Sequence, residues 1–186
     1  KGLHSGPIVP EGRDPVAGAK AAVLGMKETV LCIQGPPGTG KTYTAAVAIL
    51  ELLNEGKRVG ITANSHKVIM NLMEAVHRAM KEAGLNFRLV KVGGDEDEPL
   101  IKSGEIEFVK SSGGAVEALG SGPLVMGGTA WVFSREELGG KIDYLFIDEA
   151  GQFSLANVVA TGISAKNIVL VGDQMQLAQP IKGSHP

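Results

Sequence analysis

From residue 29 onward the chain alternates between two kinds of segment. Residues 29–34, 58–63, 87–92, 124–126, 142–147 and 167–171 are short and rich in β-branched or apolar side chains. Several are separated by helical stretches, and such alternation predicts a parallel sheet covered by helices. The plainest helix spans 65–83, where Val68, Ile69, Leu72, Met73, Val76 and Met80 recur with a period near 3.6 and Gly84 supplies the stop. A second, over 41–53, is mostly apolar and suits deep packing against the sheet. Several strand candidates are apolar on both faces, as a buried parallel sheet requires. Residues 1–16 are polar and Gly/Pro-rich and read as a loose lead-in; an alanine-rich stretch to Leu24 then predicts a short helix. The expectation is one α/β domain over 17–186, with a mainly parallel sheet of about five to seven strands and helices on both faces. Within it, 93–122 breaks the rhythm: Gly93-Gly94-Asp95-Glu96-Asp97-Glu98-Pro99 and Ser111-Ser112-Gly113-Gly114 are loop signals, and the stretch reads as an irregular insert.

Composition narrows this picture. A chain of 186 residues is one ordinary domain. Its 44% hydrophobic and 20% charged residues describe a globular protein, not a disordered one. The net charge of −2 argues against a surface that grips nucleic acid all round, while leaving room for a local patch. Cys32 is the only cysteine, which excludes an intrachain disulfide, fits a reducing compartment and predicts a cytoplasmic protein. Within its strand Cys32 reads as a small buried hydrophobe and not as a redox switch. No apolar run approaches the ~18 residues of a membrane span, so no membrane partner is expected.

Gly35-Pro36-Pro37-Gly38-Thr39-Gly40-Lys41-Thr42 fulfils G-x-x-x-x-G-K-[ST], between an apolar strand and a helix. Such a loop closes backbone N–H groups around phosphate oxygens, and the following helix aims its positive end at them. Lys41 would reach the β- and γ-phosphates of a nucleoside triphosphate, and the Thr42 hydroxyl would ligate Mg²⁺. Downstream, Asp143-Tyr144-Leu145-Phe146-Ile147-Asp148-Glu149-Ala150 is an apolar strand ending in two acids. A buried strand delivers its last residues to the carboxyl edge of the sheet, where ligands of open α/β sheets bind. Asp148 is expected to hold Mg²⁺ opposite Thr42, and Glu149 to activate the attacking water.

Four further stretches complete a pattern. Asp148-Glu149-Ala150-Gly151-Gln152 resembles motif II of superfamily 1 helicases, and Gly172-Asp173-Gln174-Met175-Gln176-Leu177 resembles their motif III. Thr62-Ala63-Asn64-Ser65-His66-Lys67-Val68-Ile69 is similar to motif Ia, and Gly128-Thr129-Ala130-Trp131 to motif Ic. The branch most similar is superfamily 1B, which includes the nonsense-mediated-decay RNA helicase and nuclease-linked DNA helicases. The resemblance covers residues 14–180 and implies a RecA-like P-loop domain that binds and hydrolyses ATP with Mg²⁺ and acts on single-stranded DNA or RNA. It assigns Gln176 to sensing the γ-phosphate, and Thr62, Asn64, Ser65 and Thr129 to the strand's phosphate backbone. Such groups position a backbone without reading bases. For Ser65 a plain helix cap is the alternative and compatible role; Trp131 is expected in the core, with base stacking as its alternative.

Two departures qualify the resemblance. This branch carries an adenine-reading glutamine upstream of the loop, whereas Gln34 is the first glutamine here, which leaves ATP against GTP open. The motifs of a second RecA-like domain, with its arginines, do not follow Pro180, so the chain is expected to be the first motor domain of a longer protein and nearly inactive alone. The rival readings are a P-loop ATPase or kinase that does not act on nucleic acid, and a nucleotide-gated binding module. A kinase has no need of the Gln176 element. Glu105, Glu107 and Lys110 lack nuclease spacing, and His4, His66, His77 and His185 show no metal spacing with Cys32.

Overall fold

Asp14 starts the first helix, α1 (Pro15–Leu24), by accepting hydrogen bonds from the backbone N–H groups of Val16 and Ala17, both at 3.2 Å. Pro15 fits the first helical position because its missing N–H would have no partner there. The computed structural model describes residues 14–173. In it the helix therefore begins inside the stretch expected to be lead-in, because Asp-Pro serves a helix start as well as a loop. The chain continues through β1 (Val30–Gln34), α2 (Lys41–Asn54), β2 (Arg58–Thr62), α3 (His66–Glu82), β3 (Arg88–Val92), α4 (Pro99–Lys102) and β4 (Glu107–Val109). It then forms α5 (Ala115–Leu119), β5 (Leu124–Gly127), α6 (Ala130–Phe133), β6 (Ile142–Ile147), α7 (Leu155–Gly162) and β7 (Ala165–Gly172).

The seven strands make one sheet in the order β1-β7-β6-β2-β5-β3-β4, with every pairing parallel. Alternate side chains feed two cores. Val59, Ile61, Val125, Tyr144 and Phe146 pack with α1, α2 and α3, while Leu124, Met126, Leu145 and Ile147 pack with α5 and α6. Connections that move toward β4 run over the first face and those that move back toward β1 over the second, as a single crossover handedness requires. All carboxyl ends of the strands consequently share one edge of the sheet.

Three further expectations are corrected by the fold. Residues 93–122 contain α4, β4 and α5; β4 is a three-residue edge strand paired with β3 through Val90 and Glu107. Three residues led by a glutamate carry too little apolar signal to be read as a strand. Cys32 is exposed, because β1 lies at the sheet edge among the described residues and its side chains alternate between exposed and half-buried. Trp131 is 81% exposed on α6, with its neighbours Val132 and Phe133 buried in its place.

Candidate active site

The phosphate loop leaves β1 at its carboxyl end, still tied to β7 by the Gly35 N–H donating to the Gly172 carbonyl at 3.3 Å. Gly38 and Gly40 take φ of 78° and 81°, a left-handed backbone that side chains resist. The Thr39 hydroxyl donates to the Pro36 carbonyl at 2.8 Å, and Lys41 Nζ donates to the carbonyls of Gly35 (2.6 Å) and Pro36 (2.8 Å). Helix α2 begins at Lys41 without a side-chain cap, so its first N–H groups remain available to an anion. Thr42 is exposed in that first turn.

Strand β6 brings Asp148 to the same edge. Its backbone N–H donates to the Thr62 carbonyl at 2.9 Å, and its Oδ1 accepts from the Glu149 N–H at 2.9 Å. Burial pushes the Asp148 carboxyl above its ordinary value; the Glu149 N–H opposes this, the Glu149 charge adds to it and the Lys41 charge opposes it. Glu149 itself is half-buried at φ 50°, ψ 43°, a left-handed conformation rare for a non-glycine residue, and opens a tight turn over Ala150–Gln152. Gly172 lets that turn approach: a Cβ there would lie 3.2 Å from the Ala150 nitrogen and 3.3 Å from that of Gly151. Asn64 Nδ2 also donates to the Gln152 carbonyl and ties the turn to the end of β2.

The buried Asp148 carboxylate at the end of β6 and the exposed Thr42 hydroxyl at the start of α2 are hard oxygen donors of the kind Mg²⁺ takes. Among the described residues no cluster of three or more His, Cys, Asp or Glu could hold a metal. Beside the loop lies a cavity of about 480 Å³ between α1 and β1, with Ala19, Ala22, Leu31 and Ile33 on its apolar side and Gln34, Thr39, Lys41 and Thr44 among its polar walls.

The residues expected on a nucleic-acid strand fall on the adjoining part of the edge, after β2 and β5. Asn64 and Ser65 are exposed, and Ser65 Oγ caps α3 by accepting from the Val68 N–H at 3.2 Å. Thr129 is half-buried before α6, with no side-chain cap bond. Thr62 is a correction: it is fully buried with its hydroxyl unpartnered, because β2 lies inside the sheet, so its side chain is not offered to a strand. Gln176 lies outside the described residues. Sequence reasoning missed Lys91 and His66, whose side chains meet at this edge.

The loop, the paired acids and the all-parallel sheet define a P-loop domain of RecA-like fold. The AAA domain family matches residues 17–185, and the chain belongs to that family. Over 164 residues it is 31% identical to the DNA replication ATP-dependent helicase/nuclease dna2 of Schizosaccharomyces pombe, covering 82% of this chain and 11% of that protein. Over 92 residues it is 35% identical to the Regulator of nonsense transcripts 1 homolog of Drosophila melanogaster, covering 48% of this chain and 7% of that one. It thus spans about a tenth of the length of the curated relatives it matches. Among solved structures, the fold resembles a nuclease-deletion mutant of the Type ISP restriction-modification enzyme LlaGI in complex with a DNA substrate mimic. That match has a TM-score of 0.57 at 18% identity and covers 87% of this chain and 17% of that one. The Arterivirus nonstructural protein 10 (helicase) with DNA aligns with a TM-score of 0.50 at 18% identity, over 89% of this chain and 32% of that one. The homology therefore lies with superfamily 1 helicase motor domains.

Proposed function

We propose that this chain is the first ATP-binding motor domain of a superfamily 1 helicase, in which ATP hydrolysis drives movement along single-stranded DNA or RNA. The observation that carries this reading is the complete phosphate loop, its helix uncapped, on the same sheet edge as Asp148 and Glu149. Lys41 exchanges the carbonyls of Gly35 and Pro36 for β- and γ-phosphate oxygens. Thr42 and Asp148 hold Mg²⁺, which when bound neutralises charge on the transferring phosphoryl group. Glu149 takes the proton of the attacking water, and Gln176 responds to the γ-phosphate. The cavity beside α1 seats the base against the apolar side chains of Pro15, Ala19, Ala22, Leu31 and Ile33, with Gln34 as a polar group in its wall.

On the neighbouring edge Asn64, Ser65 and Thr129 hold the strand's phosphates, and the exposed Trp131 stacks on a base. A second RecA-like domain supplies the opposite wall of the cleft. An arginine from such a wall is worth roughly 10³–10⁵ in turnover, so this domain alone hydrolyses at a trace rate. Half of the strand contacts are absent from it and its net charge is −2, so strand binding alone is lost at moderate salt. No helix among the described residues is long and apolar enough to cross a membrane.

Hydrolysis of radiolabelled ATP by the parent polypeptide, with and without single-stranded DNA and RNA, tests the reading. Strand-stimulated turnover is expected. Turnover indifferent to both strands would point to a P-loop ATPase of another kind, and nucleotide binding without turnover to a gated module.

A further inference from the structure

Lys91 is the one charged residue among the largest fully buried side chains of the described residues, at 1% exposure. It lies near the carboxyl end of β3, opposite Gly127 of β5, two residues before Thr129. A buried ammonium is tolerated only when its donors are satisfied. Here Nζ donates to the carbonyls of Val92 (3.3 Å) and Gly93 (2.5 Å), and to Nδ1 of His66 at 2.8 Å. The carbonyl bonds tie the end of β3 to itself. The third reaches across to α3.

That third bond has a chemical consequence. An ammonium has no acceptor capacity, so Nδ1 must be the unprotonated nitrogen and the ring proton sits on Nε2. The charges support the same state. Burial brings Lys91 down to about 8, against an opposing pull from Glu98, and leaves it cationic at neutral pH. Burial and that cation hold His66 below its ordinary value, so the ring is neutral. Nε2–H has no partner among the described residues. The ring lies over Gly94, where a Cβ would come within 2.9 Å of Nδ1. Directly before His66 stand Asn64 and Ser65.

We propose that His66 is a further strand contact, donating from Nε2 to a phosphate oxygen, and that Lys91 is the positioning residue that fixes this donor tautomer. The inference rests on the single-strand reading above. A purely structural Lys91–His66 tie would alter stability but not the chemistry of strand binding.

The test uses this chain and a fluorescent oligothymidylate at low salt between pH 6 and 8. Wild-type affinity should change with pH less than that of Lys91→Met, since burial and the Lys91 cation together hold the ring neutral. His66→Ala should bind about tenfold more weakly, and His66→Gln, whose amide N–H occupies the place of Nε2–H, should recover most of the loss. Lys91→Met should gain affinity as pH falls, because the ring then protonates beside the phosphate. Should Lys91→Met fail to fold, a histidine ¹⁵N spectrum of the wild type reads the tautomer directly, and protonation at Nδ1 would overturn the proposal. So would His66→Ala binding like wild type while Thr129→Ala binds more weakly. A wild type that binds no strand even at the lowest salt removes the strand reading itself, and this inference with it.

Discussion

The phosphate loop and the edge proposed to hold a nucleic-acid strand lie side by side on one sheet, yet they are built in opposite ways. The loop is eight consecutive residues shaped by their own backbone: Gly38 and Gly40 turn it, and Lys41 is satisfied by carbonyls of the same loop. That second edge is assembled from the ends of β2, β3 and β5, which are far apart in the chain. There, polar groups reach across elements, Lys91 to His66 and Asn64 to Gln152. A site made of backbone is ready for its ligand and loses little stability when a side chain is cut. One made of cross-element contacts couples its chemistry to packing.

Substitutions can break or sharpen that contrast. Lys41→Ala should remove tight Mg²⁺-nucleotide binding, by about 10²–10⁴-fold for two charge-assisted hydrogen bonds, in a protein that still melts cooperatively. Calorimetry reads it, and unchanged affinity in the folded variant would take Lys41 off the phosphates. Glu149→Gln should keep nucleotide binding and lower turnover in the parent polypeptide by about 10²–10⁴, because an amide keeps the shape but accepts no proton. Wild-type rates there would remove Glu149 from the mechanism. Trp131→Ala should weaken strand binding by about tenfold without touching nucleotide affinity, as expected for one stacked base. Anisotropy titration checks it.

The smallest effect concerns stability. The folded-state value of Asp148 is raised, so the native protein holds its proton more tightly than the unfolded chain. The ionised carboxylate therefore costs stability at neutral pH, and that cost fades as pH falls through the folded value. Asp148→Asn should raise the melting temperature of the ligand-free protein at neutral pH, with the gain shrinking in acid, while Mg²⁺-nucleotide binding is lost. Scanning calorimetry across pH decides it; a variant less stable than wild type at neutral pH would contradict the burial argument.

The same contrast explains what the sequence made legible. Gly35 to Thr42 carry their chemistry in one contiguous stretch, and β6 announces Asp148 by its apolar run, so both were readable without coordinates. Helix α3 was readable because Ile69, Leu72, Met73, Val76 and Met80 all face the core at one period. Trp131 was not, because an aromatic between apolar neighbours carries no sign of which way a four-residue helix will turn it. Thr62 was placed on the strand by its motif, while the depth of β2 in the sheet was decided by tertiary pairing. Lys91 sat unnoticed in an apolar strand pattern, since its partner lies on another element.

Parallel titrations of wild type, Lys41→Ala and Trp131→Ala with Mg²⁺-ATP and with a fluorescent single strand, at low salt near about 50 mM, test the central claim most directly. The account predicts a crossed result: Lys41→Ala loses nucleotide and keeps the strand, and Trp131→Ala weakens the strand and keeps nucleotide. Strand affinity that survives Trp131→Ala unchanged, or that disappears with Lys41→Ala, would contradict two separate sites on one sheet edge.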